Sequence, residues 1–154
     1  MLSTRHSRLQ LGAVLSLLLF AAFAGADSHA PTVEELKARI TNASIGDRPA
    51  LCLQLSEMQV AAAGRLYTAG DTDQAKAALT DVVAFAELAR DSSIQSHKHE
   101  KQSEIAIRKM VRKLNDLKHT VTHEDQPQLD DTIYKLERIR DDLLAAMFPK
   151  GNKK

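Results

Sequence analysis

Residues 61 to 83 read AAAGRLYTAGDTDQAKAALTDVV, and the fold class turns on them. Ala62, Leu66 and Ala69 recur at three- and four-residue steps, which places them on one face of a helix. Gly70 then supplies a stop, because glycine takes the left-handed conformation that closes helices. Asp71 follows at once as a new cap, and Asp71-Thr72-Asp73-Gln74 is a capping-box pattern. Ala75, Ala78, Leu79, Val82, Ala86 and Ala89 resume the helical period. So short a turn between two apolar-faced helices predicts an antiparallel hairpin.

The same reading extends both ways. Upstream, Leu51, Leu55 and Met58 continue the first stripe, and Asp47 with Pro49 starts that helix. Before it, Thr32-Val33-Glu34-Glu35 opens a short helix ending near Asn42, with Gly46 in the turn. Downstream, Ile107, Met110, Leu114, Leu117 and Val121 mark a helix over 105–121. Leu129, Ile133, Leu136, Leu143 and Met147 mark the last, opened by a third capping-box pattern, Asp125-Gln126-Pro127-Gln128, and stopping before Pro149. Between residues 92 and 104, SSIQSHKHEKQSE keeps Ile94 as its one apolar residue, which predicts a break or bend near Asp91 to Ser96. No stretch alternates with period two for long. The expected fold is all-α: an antiparallel helical bundle of about four long helices, each about 30 Å long, plus a short N-terminal helix.

The helix over 51–69 carries a second stripe, Leu53, Val60 and Tyr67, at heptad spacing. A helix apolar on two sides is central in its bundle or meets a partner. A homo-oligomer through these three residues is the second expectation.

The chain opens MLSTRHSRLQ, with Arg5 and Arg8, followed by an uncharged run from Leu11 to Phe23 and then Ala24-Gly25-Ala26. A basic start, a short apolar run and an A-x-A site form an export signal. The division expected is a signal peptide over 1–26, a helical bundle domain over 27–148 and a basic tail over 149–154. Export places the product in the periplasm or outside the cell, with no membrane span in the mature chain. Of 21 bases, Arg5 and Arg8 leave with the leader, so 19 face 20 acids and the net charge is −1. That balance, with no groove-reading motif, excludes nucleic acid as the expected partner. Four Phe, two Tyr and no Trp disfavour a stacking platform for sugars or bases. Cys52 is the lone cysteine, so no internal disulfide forms. It reads as a small apolar filler, with an intermolecular disulfide as the alternative.

Ala61 to Val83 resembles one tetratricopeptide helix pair. Aligned on Gly70-Asp71, Ala75 takes the small-residue position of the second helix and Leu79 and Val82 its packing positions. Ala63 and Leu66 match the first helix. Gln59 stands where that family has an aromatic, Glu87 where it has the closing proline, and the pattern has no second copy. The resemblance implies protein or peptide binding rather than catalysis.

HTVTHED, residues 119 to 125, raises a metal question. On a continuous helix, Asp116, His119 and His123 would share the wet face at i, i+3 and i+7, an acceptable ligand set for Zn²⁺ or Cu²⁺. Thr120 stands where H-E-x-x-H needs glutamate, and Arg112 one turn before Asp116 opposes a cation. Solvated imidazoles are the competing reading, for His97 and His99 as well. Cleavage after Ala26 would expose Asp27-Ser28-His29, which resembles the amino-terminal copper and nickel motif and implies a square-planar site using His29. No nucleophile stands out with its base, and no phosphate loop or haem attachment motif is present, so no catalytic residue is expected.

Residues 97 to 118 hold seven bases, Lys98, Lys101, Arg108, Lys109, Arg112, Lys113 and Lys118, against Glu100, Glu104 and Asp116, a local charge of +4. Residues 27 to 96 carry −4. The basic segment can meet anionic lipid, an envelope polyanion or an acidic protein, or pair with the chain's own acidic helices, and the last is favoured. Together these readings point to a small exported helical protein of the cell envelope that works as a protein-interaction or scaffold module. The alternative is a small metal-binding protein.

Overall fold

The structure, a computed structural model, describes residues 30–149. The expected leader over 1–26, His29 and the tail beyond Pro149 lie outside the described residues. Five α-helices follow one another, with no strand among the described residues: α1 (Val33–Asn42), α2 (Arg48–Thr68), α3 (Thr72–Ser96), α4 (Glu100–Lys118) and α5 (Gln126–Met147). The four long helices carry the apolar faces that their spacing predicted, and these share one core with Leu36 and Ile40 of α1. Leu36, Leu55, Leu79, Val82, Ile107, Met110, Leu114, Leu129, Leu136 and Leu143 are all fully buried in it.

The helix starts test the capping arguments one at a time. At α1 the capping box forms: the Glu35 N–H donates to Thr32 Oγ1 at 3.2 Å, and the Thr32 N–H donates to Glu35 Oε2 at 2.8 Å. At α3 the Gln74 N–H donates to Asp71 Oδ1 at 3.3 Å, while the Gln74 amide reaches the Asp71 carboxylate at 2.6 Å rather than its backbone. At α5 the expected box is not built. The Asp125 carboxylate is occupied elsewhere, accepting from Thr122 Oγ1 at 2.8 Å and lying 3.5 Å from Lys76 Nζ.

Asp47 behaves as Asp125 does. Ser44 Oγ donates to Asp47 Oδ2 at 2.7 Å, and proline is the second residue of both α2 and α5. Ser44-x-x-Asp47-x-Pro49 and Thr122-x-x-Asp125-x-Pro127 therefore form the same turn, each preceded at equal distance by a fully buried leucine, Leu36 and Leu114. This internal likeness escaped the sequence reading, because only the hydroxyl, aspartate and proline positions carry it.

Two other boundaries differ from expectation. The break between α3 and α4 falls at His97-Lys98-His99, just past the stretch expected to bend. Ser92, Ser93 and Ser103 are buried there, and the Ser93 and Ser103 hydroxyls meet at 2.9 Å. Small side chains with their own partners act as core where no large apolar residue stands. At the other end, α4 stops at Lys118 instead of reaching Val121. Val121 leaves the helix and packs on the core from the turn.

Handedness of pairing needs the structure. Ser56 Oγ donates to the Val82 carbonyl and Gln59 to Asp81, so α2 and α3 run antiparallel. Glu104 with Arg140 and Lys118 with Asp130 set α4 antiparallel to α5. Across the two hairpins the neighbours run parallel. Lys76 meets Asp125 and Arg90 meets Asp142 along α3 and α5. Glu57 faces Lys109 and Gly64 faces Leu117 along α2 and α4. The antiparallel expectation thus holds for consecutive long helices, α3 and α4 included, while the pairs α2–α4 and α3–α5 run parallel. Two hairpins stack in the same sense, as the units of helical repeat proteins do.

α2 touches α1, α3 and α4, which settles its second stripe. Leu53 is 7% exposed and Val60 4%, and Tyr67 packs against the same core. Leu53 and Val60 are spent on neighbours within the chain, as the central position offered by the sequence requires, and Tyr67 is half-buried beside them.

Candidate functional site

α4 buries Ser103, Ile107, Met110 and Leu114. At about 100° per residue, the direction opposite that face passes through Ile105. Lys101, Arg108, Lys109, Arg112 and Lys113 surround it, all of them exposed. Ile105 is itself 44% exposed, so a large apolar side chain sits in the middle of five cations.

Asp116, exposed on the same face one turn beyond Arg112, forms no ion pair, and the other acids of the segment are engaged elsewhere. Glu104, counted above against the basic segment, is 8% exposed and turned inward. Its Oε1 accepts from Arg140 Nε at 2.8 Å and lies 3.7 Å from Arg108 Nε. That hydrogen bond holds the Arg140 guanidinium pKa above its ordinary value. Lys109 stands 4.0 Å from Glu57 at the edge shared with α2, and Lys118 is bound to Asp130 of α5. Among the described residues, Lys98, Lys101, Arg112 and Lys113 make no ion pair. Internal pairing, the favoured reading of the sequence, therefore accounts for part of the segment only. Exposed pairs of this kind are worth about 0–1 kcal/mol, so Arg108 and Lys109 stay available to a partner.

The metal candidates fare differently. Asp116 and His119 are exposed at the last turn of α4, where His119 is the C-cap. His123 lies beyond the helix end, in the turn before α5. The continuous helix that would align Asp116, His119 and His123 is not formed. Among the described residues no group of three His, Cys, Asp or Glu side chains is gathered as a metal site. His97 and His99 form the α3–α4 turn, both with positive φ.

A concavity of about 270 Å³ lies between α3 and α5, with Leu79, Val83 and Thr132 among its lining and Asp131 and Lys135 at its rim. Those two rim charges neutralise each other at 2.7 Å. The α4 face keeps a net positive charge.

No family model matches the chain, nor does any curated protein or solved structure. The site must be read from its own residues.

The sequence exposed the positive count of this segment but neither the burial of Glu104 nor the place of Ile105. Helical winding from Leu114 would have put Ile105 on the wet side, at odds with its apolar character. That mismatch is the signal that could have found it. No helix among the described residues is long and apolar enough to cross a membrane.

Proposed function

We propose that this protein is an exported module of the cell envelope that acts by contact, engaging a partner through the outward face of α4. One observation carries the reading. Lys101, Arg112 and Lys113 surround the exposed Ile105 and make no ion pair among the described residues, which leaves the face net positive even with Asp116 beside them. Desolvated apolar surface is where binding energy comes from, and unpaired charge is what orients the encounter. The stacked hairpins support the same reading, since such helical pairs present rigid faces to partners.

The test is photo-crosslinking in the producing cells, with a photoreactive residue at Ile105 and, as control, at Glu34 on α1. An envelope component, protein or lipid, captured from position 105 and not from 34 is the expected result. Cells that yield no adduct at 105 would remove the reading.

A further inference from the structure

We infer that the outward face of α4 docks on anionic phospholipid headgroups. This names the partner class for the site proposed above and rests on that reading. Three features favour lipid over an acidic protein. First, the cations are spread over a convex helix surface from Lys101 to Lys113, about 18 Å of axis, rather than gathered round a pocket. Protein partners concentrate their energy in well-packed centres rich in Trp, Tyr and Arg. Here the apolar contribution is Ile105 alone, which suits shallow entry among headgroups. Second, the available charges are Lys and Arg on long stems, which lie along an apolar boundary and lift their heads to the phosphates. Near an anionic membrane each contributes about fivefold in affinity, so several acting together give measurable attachment. Third, residues 30 to 96 carry nine acids against six bases, a charge of −3, so repulsion turns α1 to α3 outward and presents α4 to the surface. No described helix can span a bilayer, so attachment would be peripheral.

The experiment is flotation of the purified protein with vesicles of phosphatidylcholine alone, or with phosphatidylglycerol added, at low and at high salt. Binding is expected to the anionic vesicles only, and to weaken steeply with salt. Arg112→Glu with Lys113→Glu should reduce it at least tenfold, and Ile105→Ala severalfold. Lys135→Glu with Arg138→Glu on α5 makes the same change in net charge away from the face and should leave it near wild type. All these positions are exposed, and helicity by circular dichroism verifies that each variant folds. Inorganic phosphate at matched ionic strength should compete poorly. Strong competition would mark a free-anion site and overturn the lipid assignment. Absence of binding, or equal loss in both double variants, would overturn it as well. A protein adduct from position 105 alongside failed flotation would leave the contact reading standing and remove the lipid alone. Failure of both would remove both.

Discussion

His97 occupies in the closing motif of α3 the place that Gly70 occupies in α2. After α2 the Gly70 N–H donates to the Tyr67 carbonyl and the Asp71 N–H to that of Leu66. After α3 the His97 N–H donates to the Ile94 carbonyl and the Lys98 N–H to that of Ser93. Both are Schellman closures, with φ of 78° at Gly70 and 52° at His97. A side chain at that φ costs about 1–2 kcal/mol, and glycine returns about 0.4–1 kcal/mol of this through a freer unfolded chain. His97→Gly should therefore stabilise by about 0.5–1 kcal/mol and raise Tm by about 2–4 °C. Gly70→Ala should destabilise by about 1 kcal/mol. Thermal melts followed by circular dichroism decide it; a His97→Gly variant that melts lower would refute the strain argument.

Cys52 is fully buried, and burial pushes its thiol pKa up to about 11, against a smaller opposing pull from Arg48. Folding thus favours the protonated thiol. The stability this contributes is fully present below the unfolded pKa of about 9 and is lost as pH rises towards about 11. The loss is on the order of 2 kcal/mol. Tyr67, also shifted up by burial and then by Asp125, adds to the fall in the same direction at higher pH. Urea melts at pH 8 and pH 11 should show a smaller drop for Cys52→Ala than for wild type. Equal drops would exclude the thiol as the cause. The same burial closes the intermolecular disulfide raised by the sequence, so a thiol reagent should react only after denaturant is added.

Helix identity was legible because each stripe repeats at helical spacing, and the Thr32 box, the Pro49 start and the Gly70 stop each sit where a local rule puts them. What escaped lies in longer-range relations. Periodicity reports which face of α2 is buried, not whether α4 beside it runs parallel. Serine looks polar in sequence, so the packed contact of Ser93 with Ser103 read as a weak stretch. Asp125 resembled a cap because spacing does not show that its carboxylate turns back to the Thr122 hydroxyl, as that of Asp47 does to Ser44. In the candidate site the cations were countable, but their freedom depended on Glu104 turning to Arg140.

The burial of Leu53 and Val60 separates a core role from an assembly role. If these residues serve the core, Leu53→Ala should cost about 2–4 kcal/mol, as large-to-small changes in packed interiors do. Its sedimentation behaviour should match that of wild type under native conditions. A variant that keeps its melting temperature but changes its state of association would restore the interface reading.

Glu104 ties α4 to α5 through Arg140, and its Oε1 also lies beside Arg108 one turn on in α4. Its side chain is 10% exposed, while that of Arg140 is 35% exposed, so solvent screens one partner and not the other. Removing the acid leaves two guanidinium groups facing each other with nothing between them. Glu104→Gln keeps the shape and one acceptor and should cost about 1–2 kcal/mol; Glu104→Ala should cost more. Arg140→Met removes one cation and leaves Arg108 to answer the carboxylate, so it should cost less than either. Urea denaturation of the three variants ranks them. An Arg140→Met variant weaker than Glu104→Ala would show that the α4–α5 seam depends on the packing of the Arg140 stem rather than on the buried acid.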